Sequence, residues 1–314
     1  MKSFLAGLLL LAVFTTSAAN AQVPQLNDYR LVWLQDFRKM KSWTQIGVSA
    51  NAIGRGNWIA HTPTHKDWFT FQDPTANGHP FSIDSRGRGL TIRVQKDGND
   101  PNNWFGGFSG GLLSSMDDTG AGFAQQYGYF EVSMQTPPGP NTWPAFWLLD
   151  RDSTLNLSPT GAEIDVMESY GNWGTGPNQT PRGDPNNYAE TWHLWGPDSA
   201  SSENYAYQAE PGMTTGFHTY GVDIEPDTII WYFDRKAVWS APSYPEARRA
   251  MYIMVDLALG GGTYNNPTGT GYNWSFTANP SDLLVQYVAV WASPNSPNFS
   301  KLTSAKVAPA PHQN

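Results

Sequence analysis

Apolar and polar residues alternate through most of the chain, and turn residues break the alternation into short runs. The runs 30–37, 89–95, 128–136, 143–150, 163–170, 217–224, 228–233, 251–259 and 283–291 read as β-strands. Helical periodicity is almost absent, and 244–250 is the best short helix. Many short strands without intervening helices predict an all-β sandwich or barrel. No Ser/Gly-rich linker and no internal repeat divides the chain, so one domain is expected over 22–293. The segment 294–314 carries little to pack and reads as a flexible C-terminal tail.

One run breaks its own pattern. In GAEIDVMESYG, residues 161–171, Glu163, Asp165 and Glu168 interrupt an otherwise apolar strand. Burying a carboxylate costs several kcal/mol unless it is paired or used. Alternation puts Glu163 and Asp165 on one face, with Ile164 and Val166 on the other. It would also send Glu168 into the apolar layer. A β-bulge near Val166-Met167 would return Glu168 to the face of the other two acids, and such a bulge is expected. Three acids on one face repel one another, so at least one should hold its proton near neutral pH. Glycoside cleavage needs that combination, with one carboxylate attacking and one carboxylic acid protonating the leaving oxygen. A Ca²⁺ site and a plain solvated face are the alternatives.

Other features narrow the class. The net charge of −8 argues against nucleic acid as the main partner. There is no cysteine, which removes disulfides, thiolate metal sites and thiol nucleophiles. Aromatic residues make up 14%, with 14 Trp, which fits a β core and also fits sugar binding through ring stacking. Residues 1–21 read as a secretory signal: Lys2, an apolar run from Phe4 to Phe14, and Ala19-Asn20-Ala21 before the cut. No later segment has the length of a membrane helix, so a secreted or periplasmic protein without membrane attachment is expected.

In WPAFW, Trp143 and Trp147 share a face. A hairpin through 151–160 would pair this strand with the carboxylate strand, setting Trp147 beside Glu163 and Trp143 near Glu168. Further along, His193 and Trp195 share a face of AETWHLWG, and Tyr170 and Trp173 open the Gly/Pro/Asn-rich loop 171–187. Each of these six is a candidate sugar contact, with core packing as the alternative.

EIDVME resembles the E-x-D-x-x-E signature of glycoside hydrolase family 16 in its β-bulge form, the branch with laminarinases, agarases and carrageenases. The lichenase form has one residue fewer between the Asp and the last Glu. Residues 127–150, 217–239, MYIMVDLALGGG and LLVQYVAVWAS resemble further family segments in the same order. The resemblance implies a β-jelly-roll sandwich, similar to concanavalin, with a cleft across the concave sheet. It implies a secreted, monomeric, retaining endo-β-glycanase needing no cofactor. Glu163 would be the nucleophile, Asp165 its assisting acid and Glu168 the general acid/base. The polysaccharide substrate would be a β-1,3 or mixed β-1,3/1,4-glucan, with galactans and bacterial exopolysaccharides open. A transglycosylase, or a lectin of the same fold without turnover, is the competing reading. Many relatives hold structural calcium with an Asp where Gln286 stands here, a weaker neutral ligand that argues against that metal. Asp256 stands where relatives commonly have Asn.

Overall fold

The computed structural model describes residues 24–43, 46–47, 58–64, 67–98, 107–137, 142–169, 187–207, 212–259 and 281–303. The expected signal segment, Tyr170, Trp173 and most of the loop 171–187 lie outside the described residues.

In chain order the strands are β1 (Arg30–Asp36), β2 (Ile46–Gly47), β3 (Trp58–Ile59), β4 (Phe81–Ile83), β5 (Leu90–Lys96) and β6 (Phe108–Ser109). Next come β7 (Gly111–Ser114), β8 (Gly128–Gln135), β9 (Thr142–Asp150), β10 (Gly161–Glu168), β11 (Asn187–Trp195) and β12 (Ala200–Tyr207). The last are β13 (His218–Ile224), β14 (Thr228–Phe233), β15 (Lys236–Pro242), β16 (Met251–Leu259) and β17 (Ser281–Ala292). All nine expected runs are strands. The remaining strands do not stand out in the sequence: β2–β4, β6 and β7 are two to four residues long, and β12 and β15 carry few large apolar residues.

The strands form two sheets. One runs β15-β14-β13-β8-β17-β5-β4, with β1 also on β17 and β6 on β5. The other runs β12-β11-β10-β9-β16-β7-β3-β2. Their facing sides share one buried cluster that includes Val132, Val222, Trp231 and Val288 from the first sheet and Phe146, Leu148, Ile164 and Met167 from the second. Burying apolar area at roughly 25 cal/mol per Å² is the main force holding the layers together. The opposite side of the second sheet is thereby free to carry polar groups.

Two expectations are corrected. Residues 244–250 form turns, with Arg248 N–H donating to the Pro245 carbonyl and Arg249 N–H to that of Glu246. The segment is too short to repay helix nucleation. The one α-helix among the described residues is α1 (Arg151–Thr154), in the β9–β10 connection. The C-terminal segment is also less free than its composition suggests. Arg30 donates to the carbonyls of Phe299 (2.9 Å) and Leu302 and lies over the Phe299 ring at 4.8 Å. Ser296 is buried and donates to the Tyr127 carbonyl at 3.0 Å. Residues 294–303 are therefore docked by contacts that depend on distant residues.

Candidate active site

The site grows from the irregularity in β10. Against β9, Asp165 pairs with Trp147, and the register then slips so that Met167 pairs with Phe146 and Glu168 with Ala145. Against β11 the slip falls in the same place, between Asp165 and Glu168. Val166 and Met167 are both buried, at 1% and 0% exposure, so the extra residue goes to the inner layer. Glu168 returns to the outer face, where Glu163, Asp165 and Glu168 line one cleft. This is the expected bulge. Disrupting the ladder frees backbone groups, and the opposite sheet supplies a partner: the Trp231 indole N–H donates to the Asp165 carbonyl at 3.0 Å.

The cleft is also lined by Trp68, Trp143, Ala145, Trp147 and Asp256. Trp143 donates its indole N–H to Glu168 Oε1 at 3.0 Å. Trp147 donates to Asp256 Oδ1 at 2.8 Å. The strand pairing differs from expectation by two positions, so Trp147 lies opposite Asp165 and not opposite Glu163. The connection through α1 sets this offset. Because strand faces repeat every second residue, a slip of two keeps both Trp on the cleft face.

On the other flank, β11 puts His193 opposite Glu163. His193 Nε2 lies 3.2 Å from Asp165 Oδ2. Trp195 donates to Glu163 Oε2 at 2.8 Å and stacks on His193 with ring centroids 4.9 Å apart at 15°. Tyr244 donates to the His193 carbonyl at 2.9 Å. Trp195 is 47% exposed, an open ring beside the acids.

Burial and crowding shift these carboxyls in one direction, toward the protonated form. Burial pushes the Glu163 carboxyl well above the usual range, and the charges of Asp165 and Glu168 add to it; His193 and the Trp195 bond oppose. Burial and the charge of Glu168 push Asp165 well up too, with Glu203 and Asp256 adding, while a hydrogen bond with Glu163 opposes. Two ionised carboxylates have no proton to share, so the bond between Glu163 and Asp165 needs one held between them. Burial likewise pushes Asp256 well up, against the Trp147 bond.

Two cleft residues escaped the sequence reading as site residues. Trp68 arrives from a loop and meets Trp143 at 4.6 Å between ring centroids. That loop is clamped by His61, whose Nδ1 lies 2.6 Å from Asp67 Oδ2 and whose Nε2 lies 3.1 Å from Asp73 Oδ1. Asp256 is notable in the sequence only as standing where relatives commonly have Asn, although it is also an acid in the apolar run MYIMVDLAL. Fully buried charge in such a run is a signal for a site, and the structure supplies the neighbours. Gln286 is buried and accepts from the Ser133 hydroxyl at 3.0 Å, which gives its amide oxygen a structural role.

The family model described as Glycosyl hydrolases family 16 matches residues 67–276. Two endo-1,3-1,4-beta-glycanases of Rhizobium meliloti (strain 1021) are similar. EglC is 33% identical over 199 residues, covering 61% of this chain and 36% of that protein. ExsH is 33% identical over 223 residues, covering 68% and 40%. The chain thus spans well under half the length of these curated relatives. The laminarinase catalytic domain from Thermotoga maritima MSB8 has the same fold at a TM-score of 0.61 and 20% identity, covering 85% of this chain and 100% of that one. The two-sheet sandwich is a jelly roll. With the family model spanning more than half of the chain, and the bulged carboxylate strand inside that span, the chain belongs to glycosyl hydrolases family 16.

Proposed function

We propose that the protein is a secreted, endo-acting, retaining β-glycanase that cleaves an uncharged β-1,3 or mixed β-1,3/1,4-glucan. The observation that carries this reading is the bulge that brings Glu163, Asp165 and Glu168 onto one face of one cleft. Binding sugar does not need three crowded acids, whereas double displacement does.

In the first step an ionised Glu163 oxygen bonds to the anomeric carbon as the glycosidic C–O bond breaks. Glu168 gives its proton to the departing oxygen. Water then attacks the glycosyl-enzyme, Glu168 takes its proton, and the released sugar keeps the β configuration. Asp165 accepts the proton that Glu163 must shed, through the hydrogen bond between them. Trp195, 47% exposed, offers a ring surface for pyranose C–H groups, whereas Trp143 and Trp147, 8% exposed each, are mostly packed and reach the cleft lining with little open ring. No Lys or Arg is among the described lining residues, and four are acids. That sign of charge disfavours a sulfated galactan. The names of the similar Rhizobium meliloti proteins agree with a glucan. Export rests on the N-terminal signal-like segment; among the described residues no helix is long and apolar enough to cross a membrane.

The test is incubation of the full chain with laminarin, lichenan, agarose, carrageenans and bacterial exopolysaccharides, with mass spectrometry of the products. Oligosaccharides should appear from laminarin or lichenan. Glu163→Gln and Glu168→Gln should each lower the rate by about 10²–10⁴-fold. Binding to one polymer with no release would instead favour a lectin.

A further inference from the structure

The acids on β10 share their cleft with a nitrogen donor. Ligand atoms of Glu163, Asp165 and His193 all lie within 4.8 Å of one another. The His193 Nε2 to Asp165 Oδ2 separation, 3.2 Å, is already close to what one ion would impose. Tetrahedral bonds of about 2.1 Å set ligand atoms about 3.4 Å apart. Asp165 is only 2% exposed, and its Oδ2 has His193 Nε2 at 3.2 Å but no hydrogen bond of good geometry. A buried acceptor left in that condition calls for an explanation. The neighbouring groups fix the ligands in place. Trp195 stacks on the imidazole, Tyr244 holds the His193 carbonyl, and the Trp195 indole bonds Glu163 Oε2. Glu168 and Asp256 line the same cleft and bring further carboxyl oxygens near the position.

We propose that Glu163, Asp165 and His193 form a binding site for a divalent transition-metal ion, zinc being the type, and that the ion shuts the cleft reversibly. Imidazole with two carboxylates suits zinc, with a fourth position open to water on the cleft side. Calcium and magnesium prefer all-oxygen shells, so they are poor occupants. An ion there draws on the oxygen that Glu163 would use for attack. The binding claim stands on geometry alone, and the inhibitory consequence rests on the proposed glycanase reading.

The two parts are tested separately. Isothermal titration of the EDTA-treated full chain with ZnCl₂ should show one saturable site. His193→Gln and Glu163→Gln should each raise its Kd at least tenfold, with folding checked by circular dichroism. His61→Gln, which alters the other His–carboxylate cluster, should leave the Kd unchanged, and CaCl₂ should not compete. On the polymer selected by the panel, zinc should inhibit and EDTA should restore the rate. Absence of saturable zinc binding would overturn the proposal. So would binding that persists in both His193→Gln and Glu163→Gln, or that is lost in His61→Gln. A protein that binds zinc in this pattern but cleaves nothing would retain the site and refute the glycanase reading alone.

Discussion

Trp195 acts on Glu163 through its indole N–H, which bonds one carboxylate oxygen, while its ring stacks on His193. The N–H favours the ionised carboxylate, against burial and the charge of Asp165. Trp195→Phe keeps an aromatic ring and deletes the donor, so Glu163 should hold its proton to higher pH. The attacking group must be ionised. The acidic limb of the kcat/KM profile should therefore move up, by roughly one unit. A limb that stays put would show that this bond does not govern the attacking carboxylate. At this scale the sequence was readable where chemistry and pattern collided. Three acids in an apolar strand announce a site, and the cost of pointing Glu168 inward announces the bulge. Trp68 gave no such signal, because an aromatic residue in a loop looks the same whether it packs or lines a cleft. Its place depends on His61 gripping Asp67 and Asp73, a contact no local pattern encodes.

Two elements carry the site, the bulge and the hairpin behind it. Deleting Met167 would give E-I-D-V-E, in which plain alternation keeps all three acids on the cleft face. The deletion also removes a buried side chain, at a cost of about 2–5 kcal/mol. The shortened chain should melt lower yet retain more activity than Glu168→Gln. Equal inactivity in a folded deletion variant would mean that the bulge itself, beyond the facing of Glu168, is required. On the first sheet, the β14–β15 turn places Asp234 and Arg235 at φ 46° and 59°, a left-handed pair that normally favours Gly or Asn. Arg235 then reaches back to Glu131, which is fully buried, with two bonds of 2.8 Å, while Tyr129 and Tyr287 donate to the same carboxylate. Arg235→Met would leave that acid without its cation. Urea denaturation should show a loss of about 3–5 kcal/mol. Neither this turn nor the strand after it stands out in the sequence, and the reach to Glu131 was not legible either, since 104 residues separate the partners.

The whole molecule stores protons. Burial raises Glu190 and Asp223 to about 7 each, from ordinary values of 4.5 and 3.8, and Glu225 adds to the shift of Asp223. Glu163, Asp165 and Asp256 shift the same way. A raised folded-state value means the folded chain binds more protons than the unfolded one. The stability involved is fully present below the ordinary values and is lost as pH rises through about 7. The melting temperature should therefore fall between pH 4 and pH 7.5. Glu190→Gln should flatten the fall, by on the order of 3 kcal/mol at the upper end. A melting temperature that rises across this range would contradict that assignment. The class of the fold followed from alternation, but the strand order did not. β9 lies between β10 and β16, and β8 between β13 and β17, pairings that join distant parts of the chain. That is also why Asp256, opposite Ala145, could be noticed in the sequence yet not placed. The central claim is that the bulged strand runs a double displacement through Glu163. Proton NMR of the first sugar ends released from the selected glucan tests it most directly. The account predicts that the β anomer appears first and that Glu163→Gln releases none; an α anomer appearing first would contradict it.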